Sequence, residues 1–170
     1  MDALELKRIE GEFTDKERLK AVNPDYKRGL IYQRNCGNCA VANEMRHQGY
    51  DVEALPSVFG MKMEGLAAMF DGAVVQKAPA VSVVAVERKL LTLGENARGA
   101  IAGDYKHISS GHLFSFKVHD GKVIFEDGQI GKENVTHLKE MDLLSIEYVR
   151  LDNTTPNANV LMAVKNRRVL

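Results

Sequence analysis

Asn35-Cys36-Gly37-Asn38-Cys39-Ala40, continuing through Val41 to Gln48 and Gly49, is the stretch that decides the fold. Asn35 is a residue type that caps helices and Gly49 a type that ends them, so the span from Cys36 to about Gln48 reads as a helix. Both cysteines of the chain fall in its first turn. A side chain at the first helical position lies beside backbone N–H groups that have no acceptor and beside the positive end of the helix dipole. Both favour a thiolate over a thiol, and the thiolate is the nucleophile. The same N–H groups can donate to the oxyanion formed when an amide carbonyl is attacked. Cys39 lies one turn on and is expected deeper on the same side. Asn38-Cys39 repeats the Asn-Cys pair, so the residues alone leave open which cysteine carries the chemistry. Two small buried hydrophobes are the reading without chemistry.

Outward from this helix, the firmest feature is a hairpin. Leu113–Val118 and Lys122–Glu126 are strand-like, and Asp120-Gly121 between them is a two-residue turn. His119 then pairs with Lys122, Phe114 stands opposite Asp127, and His112 stands opposite Gln129. His112, Phe114, Phe116 and Val118 share one face with Val123, Phe125, Asp127 and Gln129. His112 and Asp127 become diagonal neighbours, roughly 7–8 Å apart at the backbone and within side-chain reach. Asp127 would hold one ring nitrogen and leave the other to exchange protons with a thiol. Gln129 would assist that orientation or contact substrate. His47, His107, His119 and His137 read as surface, loop or turn positions.

The remaining segments fill in an α+β pattern, helices first and mostly antiparallel strands after. Residues 3–21 carry a thin apolar stripe at helical spacing and read as one or two peripheral helices. Residues 62–70 and 87–93 read as short helices, 80–86 as a strand, 98–102 as a short strand and 105–111 as a loop. Residues 135–141 read as a helix, 143–149 as a last strand, and the tail from Asp152 as loop. One domain over 1–170 is expected, with 1–22 as a helical extension.

Composition bounds the partners. Twenty-three basic residues balance twenty-three acidic ones, which argues against nucleic acid, whose ligands carry a basic excess. No apolar run reaches the ~20 residues of a membrane span, and Met1–Lys20 lacks a signal-peptide core. Two cysteines exclude a disulfide scaffold, and with no second pair of ligands zinc is not expected. The segment before Cys36 is a poor match to the strand that precedes a thioredoxin-like motif. No cofactor is expected.

Asn35-Cys36-x-x-Cys39-Ala40 with Gly49-Tyr50-Asp51-Val52-x-Ala54-x-Pro56 resembles the papain-fold toxin family of bacterial glutamine deamidases. So does Gly111-His112 with Asp120-Gly121-Lys122-Val123-x-Phe125-x-Asp127-x-Gln129-x-Gly131. The resemblance covers residues 23–155, and related domains occur in contact-dependent toxins, phage-head-associated proteins and secreted effectors. A Shigella effector of this family has the same cysteine pattern and a His-to-Asp spacing of fifteen, as between His112 and Asp127. Plant and lysosomal thiol proteases place an oxyanion glutamine six residues before the nucleophile, which would pair Gln33 with Cys39. The deamidase register instead implies Cys36 as nucleophile, His112 as base and Asp127 as orienter. Gly128-Gln129 departs from the family's usual Pro-Gln and loosens the backbone there. The resemblance implies a papain-like fold, N-terminal helices packed on a mostly antiparallel sheet, and hydrolysis of a glutamine amide in a protein substrate. It implies a toxin or effector that stays in its producer or is delivered by a specialised secretion system or phage, with an immunity protein as a possible partner. A thiol protease, a transglutaminase and a non-catalytic binding or virion-associated domain are the alternatives.

Overall fold

A computed structural model describes residues 4–169. Its helices are α1 (Asp15–Val22), α2 (Cys36–His47), α3 (Met63–Ala67) and α4 (Val83–Leu91). Its strands are β1 (Val52–Ala54), β2 (Phe70–Asp71), β3 (Gln76–Lys77), β4 (Arg98–Tyr105), β5 (Gly111–His119), β6 (Lys122–Asp127), β7 (Lys132–Glu133), β8 (Met141–Arg150), β9 (Thr155–Pro156) and β10 (Val164–Asn166). The principal sheet runs β3-β8-β4-β5-β6-β7 and is antiparallel at every pairing. β1 pairs with β10 and β2 with β9 in two short ribbons. Helices combined with antiparallel sheet make the chain α+β.

The β5–β6 hairpin forms as its sequence dictates. Asp120 and Gly121 both take positive φ, 52° and 72°, which the tight two-residue turn requires. The ladder from His119↔Lys122 to Ser115↔Glu126 has the register read from the sequence. Central strands are apolar on both faces. Ala100, Leu113 and Val149 pack in one core with Val41 and Met45 of α2, while Ile101, Phe114, Phe116 and Tyr148 pack in another with Val86 and Leu90 of α4. Alternate side chains of a strand point to opposite faces, so α2 and α4 cover the two sides of the sheet.

Several elements differ from the sequence reading. Of the helix expected over 3–21, Ala3 lies outside the described residues, and only Asp15–Val22 is helical, started by Thr14, whose hydroxyl accepts from the Glu17 N–H. The strand expected over 80–86 is instead the entry to α4. Ser82 caps that helix through the Ala85 N–H, and Val86 and Leu90 then fall on one buried face, which overrides the β-branched run. Residues 137–140 form a 3-10 turn rather than a helix. The tail from Asp152 supplies β9 and β10. Among the described residues, no helix is long and apolar enough to cross a membrane.

α1 is seated closely on the rest of the molecule. Leu19 and Val22 are fully buried, and Gly128, just past β6, has no room for a side chain because a Cβ there would stand 2.7 Å from Val22 Cγ1. Arg18 of α1 reaches the hairpin. Its Nη2 lies 2.5 Å from Glu126 Oε2 and its Nε donates to Asn43 of α2. Asn43 and Lys117 also bind Glu126, so a buried carboxylate of β6 fastens α1, α2 and β5 together. His47 belongs to this cluster, 3.6 Å from Glu126, and is half-buried rather than on the open surface that its place near the helix end suggests.

Candidate active site

Cys36 opens α2. The first intrahelical bond runs from the Cys39 N–H to the Asn35 carbonyl, so the N–H groups of Cys36, Gly37 and Asn38 precede it in the helix start. Asn35 is the capping residue by position but makes no side-chain cap, contrary to its sequence reading. Its carboxamide is committed to long-range partners instead. Nδ2 donates to Asn23 Oδ1 and to the Leu55 carbonyl, and Oδ1 accepts from Gln129 Nε2 at 3.3 Å. Asn23 in turn donates to the carbonyls of Gln129 and Tyr32. Three amide side chains thus tie the start of α2 to the turn that follows Asp127.

The two thiols separate by depth. Cys36 is half-buried and lines a cleft of about 540 Å³, together with Met61, Lys62, Gly103, His112 and Leu113. Cys39 is 1% exposed and does not line it. Burial pushes the Cys39 thiol up, and the nearby charges of Asp127 and Cys36 add to the effect. Gly37 lies close against the cleft wall, since a Cβ on it would stand 2.4 Å from Met61 Cβ.

His112 comes from the part of β5 beyond the β6 ladder, where it pairs with Gly103 of β4. Its Nε2 lies 2.7 Å from Asp127 Oδ2, and the ring lines the same cleft as Cys36. With Nε2 on the carboxylate, the second ring nitrogen is the one left for the sulfur. Burial opposes charge on His112, but Asp127 and Cys36 outweigh it and raise its pKa to about 9. Asp127 is held well below the usual carboxylate range. Burial opposes this, and the hydrogen bonds from His112 and His137 overcome it. The imidazole of His112 lies between the near-parallel rings of Tyr105 and Phe114, at 6.4 and 5.8 Å.

Two expected residues act elsewhere. Gln129 does not meet His112. Its backbone N–H donates to Asp127 Oδ1 at 3.0 Å and its side chain binds Asn35. Gln33 is exposed, donates to the Tyr26 carbonyl and does not line the cleft. One residue was missed. His137, read as a helix-surface position, places Nε2 2.8 Å from Asp127 Oδ2 and meets the His112 ring edge-on at 4.9 Å. No local signal in Val135-Thr136-His137 marks it, because the contact arises from a turn that returns to β6.

His112, Asp127 and His137 hold three potential ligand atoms within 4.8 Å of one another. Ligand atoms around a tetrahedral zinc stand about 3.3 Å apart. The 2.7 and 2.8 Å separations here are those of charge-assisted hydrogen bonds, and they fit an orienting cluster better than a metal centre. The arrangement therefore puts a thiol at a helix start and a carboxylate-bound imidazole on the walls of one cleft.

A family model described as papain fold toxin 1, glutamine deamidase, matches residues 34–132, more than half of the chain. Cys36, His112 and Asp127 lie inside the matched segment and His137 outside it. No curated protein and no solved structure matches the chain.

Proposed function

The chain belongs to the papain fold toxin 1, glutamine deamidase family, and on that premise we propose that it hydrolyses the side-chain amide of a glutamine in a protein substrate. Cys36 is the nucleophile, His112 the acid and base, and Asp127 the orienter, in a papain-like arrangement of helix on sheet. The observation that carries this reading is the hydrogen bond between His112 and Asp127 on the wall of the cleft that Cys36 also lines, with the pKa of His112 raised to about 9. At neutral pH the imidazole is then charged, and a charged imidazole beside a cysteine favours the thiolate–imidazolium pair that such nucleophiles use.

The thiolate attacks the carboxamide carbon of the glutamine. The resulting oxyanion is met by N–H groups at the start of α2. His112 gives its proton to the departing nitrogen, ammonia leaves, and a thioester of Cys36 remains. Water then attacks the thioester, His112 takes a proton from it, and glutamate departs as the thiolate is restored. Asp127 fixes the imidazole tautomer and stabilises its charge through both steps. The cleft of about 540 Å³ suits a side chain entering beside Cys36. We place the chain as one domain of a delivered toxin or effector, with an immunity protein as a natural counterpart.

The test is to incubate candidate protein targets with the protein and with Cys36→Ala, follow ammonia, and map products by tandem mass spectrometry. One glutamine converted to glutamate in an intact chain, only with the unaltered protein, is the expected result. Backbone cleavage without ammonia would make it a protease, and an isopeptide with added amine as the main product a transglutaminase. No covalent change in any target would favour a binding role.

A further inference from the structure

Asp127 Oδ2 faces two imidazoles. His112 Nε2 approaches at 2.7 Å and His137 Nε2 at 2.8 Å, with the two rings at 89° to each other. The other oxygen, Oδ1, accepts the Gln129 backbone N–H at 3.0 Å. A carboxylate whose only partner on one oxygen was His112 could turn with that ring. A second donor, from a ring whose plane is nearly perpendicular to the first, holds the same oxygen independently of His112. His137 is itself well held. Leu138 beside it is buried and anchors the 3-10 turn His137–Glu140, and the His137 ring packs edge-on against Phe114 at 5.0 Å. His137 does not line the cleft, so it is placed to act on Asp127 and not on a substrate. It also lies outside the segment matched by the family model, so membership of the family does not assign it this part.

We infer that His137 is a positioning residue, whose Nε2–H holds the Asp127 carboxylate in the orientation that turns His112 toward Cys36. The inference rests on the catalytic reading above, and its test needs no substrate. Iodoacetamide alkylation of Cys36, followed by peptide mass spectrometry, reports the thiolate–imidazolium pair directly. At pH 6 the pair should make the thiol reactive, whereas at pH 9.5 His112 has largely lost its proton and its orientation no longer matters. His137→Phe keeps an aromatic ring against Phe114 and removes the donor. It should slow alkylation about tenfold at pH 6 and leave the pH 9.5 rate within about twofold of the unaltered protein. His137→Gln brings a carboxamide N–H to about the position of the imidazole Nε2, and should restore most of the pH 6 rate. Should His137→Phe fail to fold, His137→Ala, which only removes atoms, carries the same expectation.

Equal rates in His137→Phe and the unaltered protein at both pH values would show that the ring merely packs, and would overturn the proposal. Equal slowing at both pH values would mean general disruption and would overturn it too. If Cys36 of the unaltered protein reacts at pH 6 no faster than a free thiol, this proposal falls together with the catalytic reading. A fast unaltered protein with an equally fast His137→Phe removes this proposal alone.

Discussion

Arg18→Met keeps a long apolar stem at a buried position and removes the guanidinium that binds Glu126 at 2.5 Å. Glu126 is 1% exposed and keeps Lys117 at 3.2 Å, Asn43 at 3.3 Å and His47 at 3.6 Å. Burial opposes its charge, yet His47, Arg18 and Lys117 together bring its pKa from 4.5 down to about 2. That difference favours the ionised form in the fold by about 3 kcal/mol, at ~1.36 kcal/mol per pH unit. Breaking a buried ion pair by removing one partner costs about 3–5 kcal/mol. Because three partners remain, the lower end applies, and Arg18→Met should lose about 3 kcal/mol of stability at pH 7. For a chain of this length that is a fall in Tm of about 6–12 °C. Glu126 has a depressed pKa in the fold, so its contribution is full above about pH 4.5 and is lost as pH falls toward 2. The deficit of the variant must therefore shrink by more than half between pH 7 and pH 3. Urea unfolding at the two pH values measures it. A loss under about 1 kcal/mol at pH 7, or a deficit equal at both, would refute the reasoning.

Four further outcomes follow from the site. Iodoacetamide should label Cys36 far faster than Cys39, which is 1% exposed with its thiol pushed up by burial, and peptide mapping reads the ratio. Asp127→Asn should cost about 10²–10⁴-fold in turnover by ammonia release, because the imidazole loses its fixed tautomer. With the pKa of His112 raised to about 9, its stabilising effect is complete below about pH 6.5 and disappears as pH rises through 9, so urea titrations from pH 7 to 10 should show the loss and turnover should fall over the same range. Gly37→Ala forces a Cβ to within 2.4 Å of Met61 Cβ and should destabilise by about 1–3 kcal/mol, checked by the same unfolding assay.

The hairpin was legible because its turn is local. Asp120-Gly121 fixes the register over the whole ladder, and the register brings His112 to Asp127. The helix from Cys36 was legible for the same reason, with Gly49 at φ 97° ending it. What was not legible depends on partners far along the chain. Asn35 has the chemistry of a cap, but Gln129, Asn23 and Leu55 compete for its carboxamide and win. His47 is drawn inward by a network that spans Arg18 to Glu126. His137 reaches Asp127 only because a 3-10 turn folds back, and nothing in the residues around it signals that return. The run from Ala80 has a strand's composition, yet one serine hydroxyl at position 82 is enough to begin a helix four residues earlier than the sequence pattern suggests.

The tie between Asn23, Asn35 and Gln129 is built from neutral side-chain and backbone amides, so none of its groups titrates near neutral pH or is screened by salt. Its weakness is slow chemistry. Hydrolysis of the Asn35 amide during storage would put a carboxylate one residue before the nucleophile and remove the Nδ2 donor that binds Asn23 and the Leu55 carbonyl. The fastening is then a clock as well as a clamp, and a mass gain of about 1 Da at residue 35 would mark protein that has aged out of its working geometry.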